Sequence, residues 1–305
     1  SAGHREAVAA VQRAAPGRVS LVVGDIRDAD ALTAALEASG AGAVMHFAAW
    51  LSVGDSVRDP VGYYRNNVLG GLAVLEAMQR AGTSRLVFSS TCATYGDPVE
   101  TPMTELHPQR PVNAYGETKL AVERALPHYE RAYGLRWMAL RYFNAAGADP
   151  DGRLGEDHDP EIHVIPRAIA AALGRDDLQV FGRDYPTPDG TCLRDYVHVT
   201  DLADAHVRAL AHLEAGGPPG ALNVGTGVPP PVLEVIRAVE RVSGRPVRYT
   251  VAGRRAGDPP SLYAASARIR QRLGWTPAFT GIDAIVETAW RWHQAHPRGY
   301  RGGDA

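Results

Sequence analysis

Residues 85–97 have the sequence RLVFSSTCATYGD, in which a short apolar run leads directly into serine and threonine. The run predicts a buried strand over 85–89. Open α/β sheets bind ligands just beyond the carboxyl ends of their parallel strands, where the hydroxyl groups of Ser89 and Thr91 would lie. The alternative is a Ser/Thr-rich turn that hydrogen-bonds to its own backbone. The stretch therefore predicts a parallel sheet with a binding site at the end of this strand.

Strands and helices alternate on either side of this stretch. Further strands are predicted at 19–23, 43–47 and 136–142. The spacing of apolar residues predicts helices at 28–38, 63–81 and about 112–133. This alternation predicts an α/β fold, namely a Rossmann-like, doubly wound parallel sheet with helices on both faces.

The sequence changes character at Gly147, after which Gly, Pro and Asp are frequent and the predicted elements are short. Helices are predicted there at 162–173, 232–242 and 282–293. We therefore expect a smaller α/β lobe formed by about 149–194 and 226–300. It would lie beside a sheet lobe formed by 1–148 and about 195–225, with ligands bound in the cleft between the two.

One lysine occurs in the chain, Lys119, and it follows Tyr115 by four residues. All the other cationic side chains, apart from histidine, are arginines. In a helix, residues i and i+4 share a face. A nearby cation lowers the pKa of a tyrosine from about 10 because it stabilises the phenolate. The pair therefore predicts a general acid–base, and the alternative is chance spacing.

Together with Thr91, Tyr115 and Lys119, further stretches resemble the extended short-chain dehydrogenase/reductase superfamily, and most closely its UDP-glucose (UDP-galactose) 4-epimerases. In chain order these are 24–28 (GDIRD), 46–49 (HFAA), 66–68 (NNV), 141–144 (RYFN), 181–191 (FGRDYPTPDGT), 194–199 (RDYVHV), 223–227 (NVGTG) and 254–259 (RRAGDP). A Tyr-x-x-x-Lys pair alone is weak evidence, whereas so many matches in one order are specific.

The resemblance implies two bound molecules, NAD on the sheet lobe and a UDP-sugar between the lobes. The residues implied for NAD are Asp25, Ile26, Phe47, Ala48, Ala49, Asn67, Ser89, Tyr115, Lys119 and Tyr142. Those implied for the UDP-sugar are Thr91, Phe143, Asn144, His163, Arg194, Tyr196, Arg255, Asp258 and Leu262. Of these, Arg194 and Arg255 are expected to hold the diphosphate, because a guanidinium group matches phosphate oxygens in bidentate fashion.

The activity implied is 4-epimerisation of UDP-galactose and UDP-glucose, with Thr91, Tyr115 and Lys119 as catalytic residues. Tyr115 would take the proton of the sugar 4-hydroxyl while hydride moves from C4 to NAD, and the ketone would turn over before hydride returns. Family members with tyrosine at the position of Leu262 are restricted to these sugars, so leucine predicts activity on the N-acetyl forms as well. A slip of one residue would put Tyr263 there instead. A homodimer paired through helices 63–81 and 112–133 is also implied.

Parts of the family pattern are absent from the sequence. The family opens with a strand, a G-x-x-G-x-x-G turn that holds the cofactor pyrophosphate, and a helix. No such turn occurs in this chain, which begins at Ser1. We expect either a longer natural protein or one without its main phosphate-binding loop, and weak NAD binding by the chain as written. Leu51 stands where some members have a lysine near the pyrophosphate, and His163 where others have an asparagine.

Composition argues against several other classes of protein. The 305 residues are 45% hydrophobic and 22% charged, with a net charge of −2 and no basic block, so neither nucleic acid nor a membrane is expected as a partner. No apolar run reaches the roughly 18 residues of a membrane span, and no signal peptide opens the chain. We therefore expect a cytoplasmic protein with Cys92 and Cys192 as free thiols. The 11 histidines show no H-E-x-x-H spacing, so no metal site is expected.

Two alternatives to an epimerase remain open. Other short-chain enzymes that act on nucleotide sugars share the Tyr/Lys pair, but the dehydratases place acidic residues directly after the hydroxyl residue. Here Cys92 and Ala93 follow Thr91. An inactive nucleotide-sugar-binding relative would fit the missing glycine-rich turn, although a binding protein would not need Thr91, Tyr115 and Lys119 together.

Overall fold

The computed structural model describes residues 3–255 and 258–302. Its strands are β1 (Val44–His46), β2 (Arg85–Thr91), β3 (Arg136–Tyr142), β4 (Asn144–Ala146), β5 (Leu178–Phe181), β6 (Leu193–Arg194), β7 (Tyr196–His198), β8 (Gly220–Val224), β9 (Tyr249–Ala252) and β10 (Ser261–Leu262). Its α-helices are α1 (Arg5–Ala14), α2 (Ala29–Ser39), α3 (Val53–Arg58), α4 (Pro60–Tyr63), α5 (Gly70–Arg80), α6 (Ala114–Tyr133), α7 (Val164–Ala172), α8 (Val199–Glu214), α9 (Val232–Ser243), α10 (Ala267–Leu273) and α11 (Ile282–Ala295). A π-helical segment, Tyr64–Leu69, joins α4 to α5, and 3₁₀ helices span Cys92–Thr94 and Gly299–Gly302. Ala256 and Gly257, in the 254–259 stretch, lie outside the described residues.

Four strands form one parallel sheet in the order β1-β2-β3-β8, which confirms the predicted fold class. Successive side chains of β2 enter different cores: Val87 packs with residues of α8 and α10, whereas Leu86 and Phe88 pack with residues of α5 and α6. All three side chains are buried. A strand buried on both faces has a continuous apolar run, which is why β2 can be predicted from the sequence.

Three of the four predicted sheet strands form. β3 has the predicted bounds, β2 runs two residues beyond its predicted end to Thr91, and β1 is shorter than the predicted 43–47. The prediction of a strand at 19–23 is wrong, because this segment belongs to no sheet, and Val22 and Val23 are 72% and 67% exposed. A strand needs a neighbour to pair its backbone groups, and none of the described strands pairs with this segment.

Close helix packing places the first turn of α6 beside the carboxyl end of β2. The predicted helix 63–81 is divided into α4, the π-helical segment and α5. Gly70 and Gly71 let α5 approach its neighbours, because a Cβ atom there would lie 2.6 Å from Ile26 Cδ1 and 2.7 Å from Val122 Cγ2 respectively. α6 follows Asn113, whose side chain accepts a hydrogen bond from the backbone N–H of Gly116 at 2.9 Å.

The second core contains α7, α9 and α11, whose bounds agree with the predicted helices to within two residues, together with strand β5. The 195–225 range predicted for the sheet lobe contains α8 and β8, and both pack in a core of the main sheet. α10 packs there too through Ile269, although the sequence placed it in the second lobe. The domain limits themselves remain a prediction. Within the described residues, no helix is both long enough and apolar enough to span a membrane.

Candidate active site

A cavity of about 1000 Å³ lies between the carboxyl ends of β2 and β3 and the segments around α7 and β10. Eight predicted site residues line it: Thr91, Tyr115, Tyr142, Phe143, Asn144, His163, Asp258 and Leu262. Parallel α/β sheets bind their ligands at this position, in the crevice beyond the strand ends. The cavity is therefore the candidate active site.

Tyr115 lies in the first turn of α6 and lines the cavity near Thr91. Burial raises the pKa of the Tyr115 phenol, and the Thr91 side chain opposes this shift only in part. The sequence-based prediction of a lowered pKa is thus wrong, because the cost of burying a phenolate is the largest influence on this group and outweighs the hydrogen bond from Thr91. Burial therefore favours the protonated phenol, and the phenolate that can act as a base needs positive charge close to it.

Lys119 is 4% exposed, and its ammonium forms no ion pair with a carboxylate of the described residues. Lys119 Nζ donates a hydrogen bond to the backbone oxygen of Ser89 at 2.8 Å and lies 5.0 Å from the centroid of the Phe88 ring. Burial lowers the pKa of Lys119 to about 8, although Glu123 opposes the shift. The thin stem of lysine fits this enclosed position, and the wider guanidinium of arginine would have to displace its neighbours.

The sheet edge beside Lys119 presents groups that fit the nicotinamide end of NAD. The Ser89 and Tyr142 hydroxyls hydrogen-bond to each other at 2.6 Å. Beyond the end of β1, Phe47 is 56% exposed and Ala48 is exposed next to it, while Ala49 is half-buried. An apolar surface next to hydroxyl and ammonium donors is the chemistry that a planar aromatic ring and its ribose require.

Three other predicted NAD residues have partners within the chain. The Asn67 carboxamide is buried, accepts a hydrogen bond from Trp50 N at 2.8 Å, and donates to Trp50 O and Thr118 Oγ1 at 3.0 and 3.1 Å. Asp25 accepts hydrogen bonds from Arg27, and the Ile26 side chain packs in the core with α5 and α6. The Asn67 side chain therefore secures the segment after β1, and the Ile26 side chain contributes to packing.

Three predicted substrate residues do not line the cavity. Arg194 forms an ion pair with Asp258, which does line it. Tyr196 is buried in the second core, and the exposed Arg255 stacks its guanidinium 3.8 Å from the centroid of the Phe181 ring. Arg194 therefore contacts a residue of the cavity wall without lining the cavity itself. The structure places neither Tyr196 nor Arg255 at the cavity.

Comparison with known proteins adds a second line of evidence to this geometry. The profile of the "NAD dependent epimerase/dehydratase family" matches residues 2–225, which is most of the chain. The chain belongs to this family. The resemblance inferred from the sequence motifs is thereby confirmed.

Individual members of the family are similar to this chain over most of their length. A UDP-glucose 4-epimerase from Rhizobium meliloti is 52% identical over 277 residues, which are 90% of this chain and 84% of that protein. The crystal structure of UDP-glucose 4-epimerase from Brucella ovis in complex with NAD is 49% identical with a TM-score of 0.89, and the match covers 95% of this chain and 87% of that one. The Bifidobacterium longum UDP-glucose 4-epimerase in complex with NAD⁺ and UDP is 35% identical with a TM-score of 0.92, covering 98% and 90%.

A buried polar network beneath the cavity was not assigned a role from the sequence, although two of its residues, Arg141 and Asn223, lie in the family motifs. Arg141 donates to the Glu123 carboxylate and to Tyr95 Oη, and Tyr95 Oη donates to Asn223 Oδ1 at 2.6 Å. Ser90, the neighbour of Thr91, also donates to Glu123. The network ties β2, β3, α6 and β8 together, so it fixes the strand ends and the helix that present Thr91 and Tyr115.

Proposed function

We propose that this protein interconverts UDP-galactose and UDP-glucose by NAD-dependent epimerisation at C4 of the sugar. The observation that carries the proposal is the meeting of Thr91 and Tyr115 with Tyr142 at one cavity, with Lys119 anchored on the same strand end. The comparisons confirm the predicted enzyme class and the predicted cofactor, because relatives up to 52% identical are UDP-glucose 4-epimerases and one at 49% holds NAD.

The chain's own residues supply the proton chemistry and the positioning. Tyr115, acting as the phenolate with Thr91 beside it, accepts the proton of the sugar 4-hydroxyl and later returns it. Lys119 uses one of its three N–H donors on Ser89, and the others would be available to the ribose hydroxyls of a bound cofactor. Its positive charge would favour the phenolate of Tyr115. Bound NAD supplies the hydride acceptor and donor at C4 and ends unchanged.

The residues after Thr91 argue against a dehydratase. Elimination of water needs an acid or base beside the sugar, and Ala93, which lines the cavity, has neither. Burial raises the pKa of the neighbouring Cys92 thiol to about 12, so it remains neutral and does not act as an acid or base near neutral pH. Cys92 and Cys192 are both free, as expected for the cytoplasmic enzyme that we infer.

We further propose that the N-acetylated UDP-sugars are substrates. Leu262 lines the cavity and contacts the small apolar cluster of Phe143, Tyr95 and Met103. Tyr263 is not among the lining residues, and its backbone oxygen accepts a hydrogen bond from Met103 N at 2.9 Å. The one-residue slip that would close the pocket is therefore not supported, and leucine leaves more space than tyrosine beside the sugar.

The homodimer is also a proposal, supported by exposed apolar side chains near the predicted pairing helices. Val61 in α4 and Tyr64 in the π-helical segment are three residues apart and 58% and 45% exposed, and Val57 in the preceding helix α3 is 66% exposed. Apolar side chains at such spacing on neighbouring helical turns suit burial against a second copy of the chain.

The test of the proposed function is turnover of UDP-galactose by purified protein with NAD added, followed by coupled detection of UDP-glucose. Tyr115→Phe is the control because it keeps the ring and removes the acid–base group. Absence of turnover in the wild type, or equal turnover in the variant, would overturn the proposal.

A further inference from the structure

Two histidines and two glutamates converge in one wall of the cavity. Glu156, His158, Glu161 and His163 fall within eight consecutive residues, and all except Glu161 line the cavity. Each offers one ligand atom, and these four atoms lie within 4.8 Å of one another. We propose that the four residues bind a divalent transition-metal ion of the zinc class, at a site that does not include Thr91, Tyr115 or Lys119 and that makes His163 a metal ligand instead of a direct contact of the UDP-sugar.

The distances between the ligand atoms fit one tetrahedral cation. Zinc binds histidine nitrogen and carboxylate oxygen at about 2.0–2.2 Å, so the ligand atoms of a tetrahedral site lie about 3.3–3.6 Å apart. His158 Nδ1 is 3.1 Å from Glu156 Oε1 and 3.8 Å from Glu161 Oε1, and His163 Nδ1 is 3.6 Å from Glu161 Oε1. His163 Nδ1 also hydrogen-bonds directly to Glu156 Oε1, and a bound ion would replace this contact. The separations between the four ligand atoms must therefore change by about 1 Å to reach tetrahedral spacing, which side-chain rotation can supply.

An unsatisfied polar atom lies within the same cluster. His158 Nδ1 is buried and has no hydrogen-bond partner, even though Glu156 Oε1 is 3.1 Å away. Two ligands of a common cation lie close together without forming a hydrogen bond to each other, and His158 Nδ1 and Glu156 Oε1 have this arrangement. A buried nitrogen that makes no hydrogen bond is otherwise costly. The four side chains are between 19% and 39% exposed, so the cluster is sheltered but can be reached by an ion.

The donor set selects the class of metal. Two carboxylates and two neutral imidazoles balance the charge of a divalent ion, and imidazole ligands favour zinc and its neighbours over magnesium or calcium, which prefer oxygen. Glu161 is already oriented, because its Oε1 accepts hydrogen bonds from the N–H groups of Ile162 and His163 at 2.7 and 2.8 Å. The sequence did not predict this site, since it lacks the H-E-x-x-H spacing.

The ion would hold the cavity wall to the start of α7. His163 directly precedes α7, and the segment before it is tied to the end of the chain by Tyr300, whose N–H donates to Asp157 and whose hydroxyl contacts Gly155. An ion bound to all four side chains would cross-link Glu156 and His158 to Glu161 and His163, which lie just before α7. The consequence is a structural role, in which the metal fixes the shape of the substrate cavity without taking part in proton transfer.

The experiment is titration of chelator-treated, full-chain protein with Zn²⁺ alone and with Co²⁺ alone. We expect one ion per chain, with the intense visible absorption of four-coordinate Co²⁺. His158→Ala and Glu161→Gln should each weaken binding by more than about 100-fold, since even groups that only support a ligand are worth 10–100-fold. His128→Ala, which removes an exposed histidine from α6, is the matched control and should bind as the wild type does.

Three results would overturn the proposal. One is no binding by the wild type, which would leave the cluster as a proton-bridged ion-pair network. Another is binding that survives both ligand variants, which would place the ion elsewhere. The third is a weak, six-coordinate Co²⁺ spectrum. Circular dichroism of each variant checks that it is folded, and the two ligand variants remove different groups so that misfolding of one does not remove the test.

Discussion

Lys119→Met tests the claim that the single lysine is held in its position at a cost in stability. Methionine keeps a flexible stem of similar length and removes the charge and the donor. Burial lowers the pKa of Lys119 from 10.5 to about 8, and at about 1.4 kcal/mol per unit this corresponds to about 3 kcal/mol of destabilisation of the charged form. The variant loses the hydrogen bond to Ser89 O, worth about 1 kcal/mol. Near neutral pH it should therefore be more stable than the wild type by about 2 kcal/mol.

The sign of this difference should reverse with pH. Because the folded-state pKa is lower than the unfolded-state value, the unfolded wild type binds more protons between about pH 8 and 10.5. The stability of the wild type therefore rises through this window relative to that of the variant. Above it Lys119 is neutral in both the folded and the unfolded state, so the only remaining difference is the hydrogen bond that the variant lacks, and the variant is less stable by about 1 kcal/mol.

Urea unfolding of both proteins across this pH range measures the difference directly. Arg124→Met, which removes an exposed cation from the same helix, is the matched control and should show no such trend. A stability difference between Lys119→Met and the wild type that stays constant from pH 7 to pH 10.5 would refute the reasoning about burial.

Three further outcomes are expected. Tyr115→Phe should lower kcat by at least about 10²-fold, the smaller end of general acid–base effects, while UDP binding measured by calorimetry is unchanged; a fully active variant would remove Tyr115 from the mechanism. Leu262→Tyr should lower kcat/KM for UDP-N-acetylgalactosamine while sparing UDP-galactose, and a parent enzyme without N-acetyl activity would contradict the proposed specificity. Val61→Glu should convert a dimer seen by light scattering at micromolar concentration into a monomer, whereas a monomeric wild type would count against pairing.

The main sheet could be predicted because its central strands are buried on both faces. β2 and β3 show this as continuous apolar runs, and β3 was predicted with its observed bounds. The segment 19–23 has the same kind of run, but strand formation depends on a paired neighbour, which local composition does not reveal. The π-helical segment Tyr64–Leu69 was likewise hidden, because it keeps helical spacing while changing the backbone pattern.

The catalytic side chains could be predicted from motifs, whereas their environments could not. The spacing of Tyr115 and Lys119 indicates a cation near a phenol, yet the direction of the Tyr115 pKa shift depends on burial by residues from distant segments. Asn67 lies in a family motif, but its partners Trp50 and Thr118 become known only from the fold. The ion pair of Arg194 with Asp258 joins residues far apart in sequence for the same reason.

The central claim, epimerisation at C4 by transfer and return of the same hydrogen, is tested most directly with UDP-galactose carrying deuterium at C4. The product of the purified protein with NAD is analysed by mass spectrometry and NMR after incubation in ordinary water. The mechanism assigned to Tyr115 and the bound cofactor predicts UDP-glucose that retains the deuterium at C4, because only the hydroxyl proton passes through the phenol. Loss of the label to solvent, or recovery of UDP-galactose alone, would contradict it.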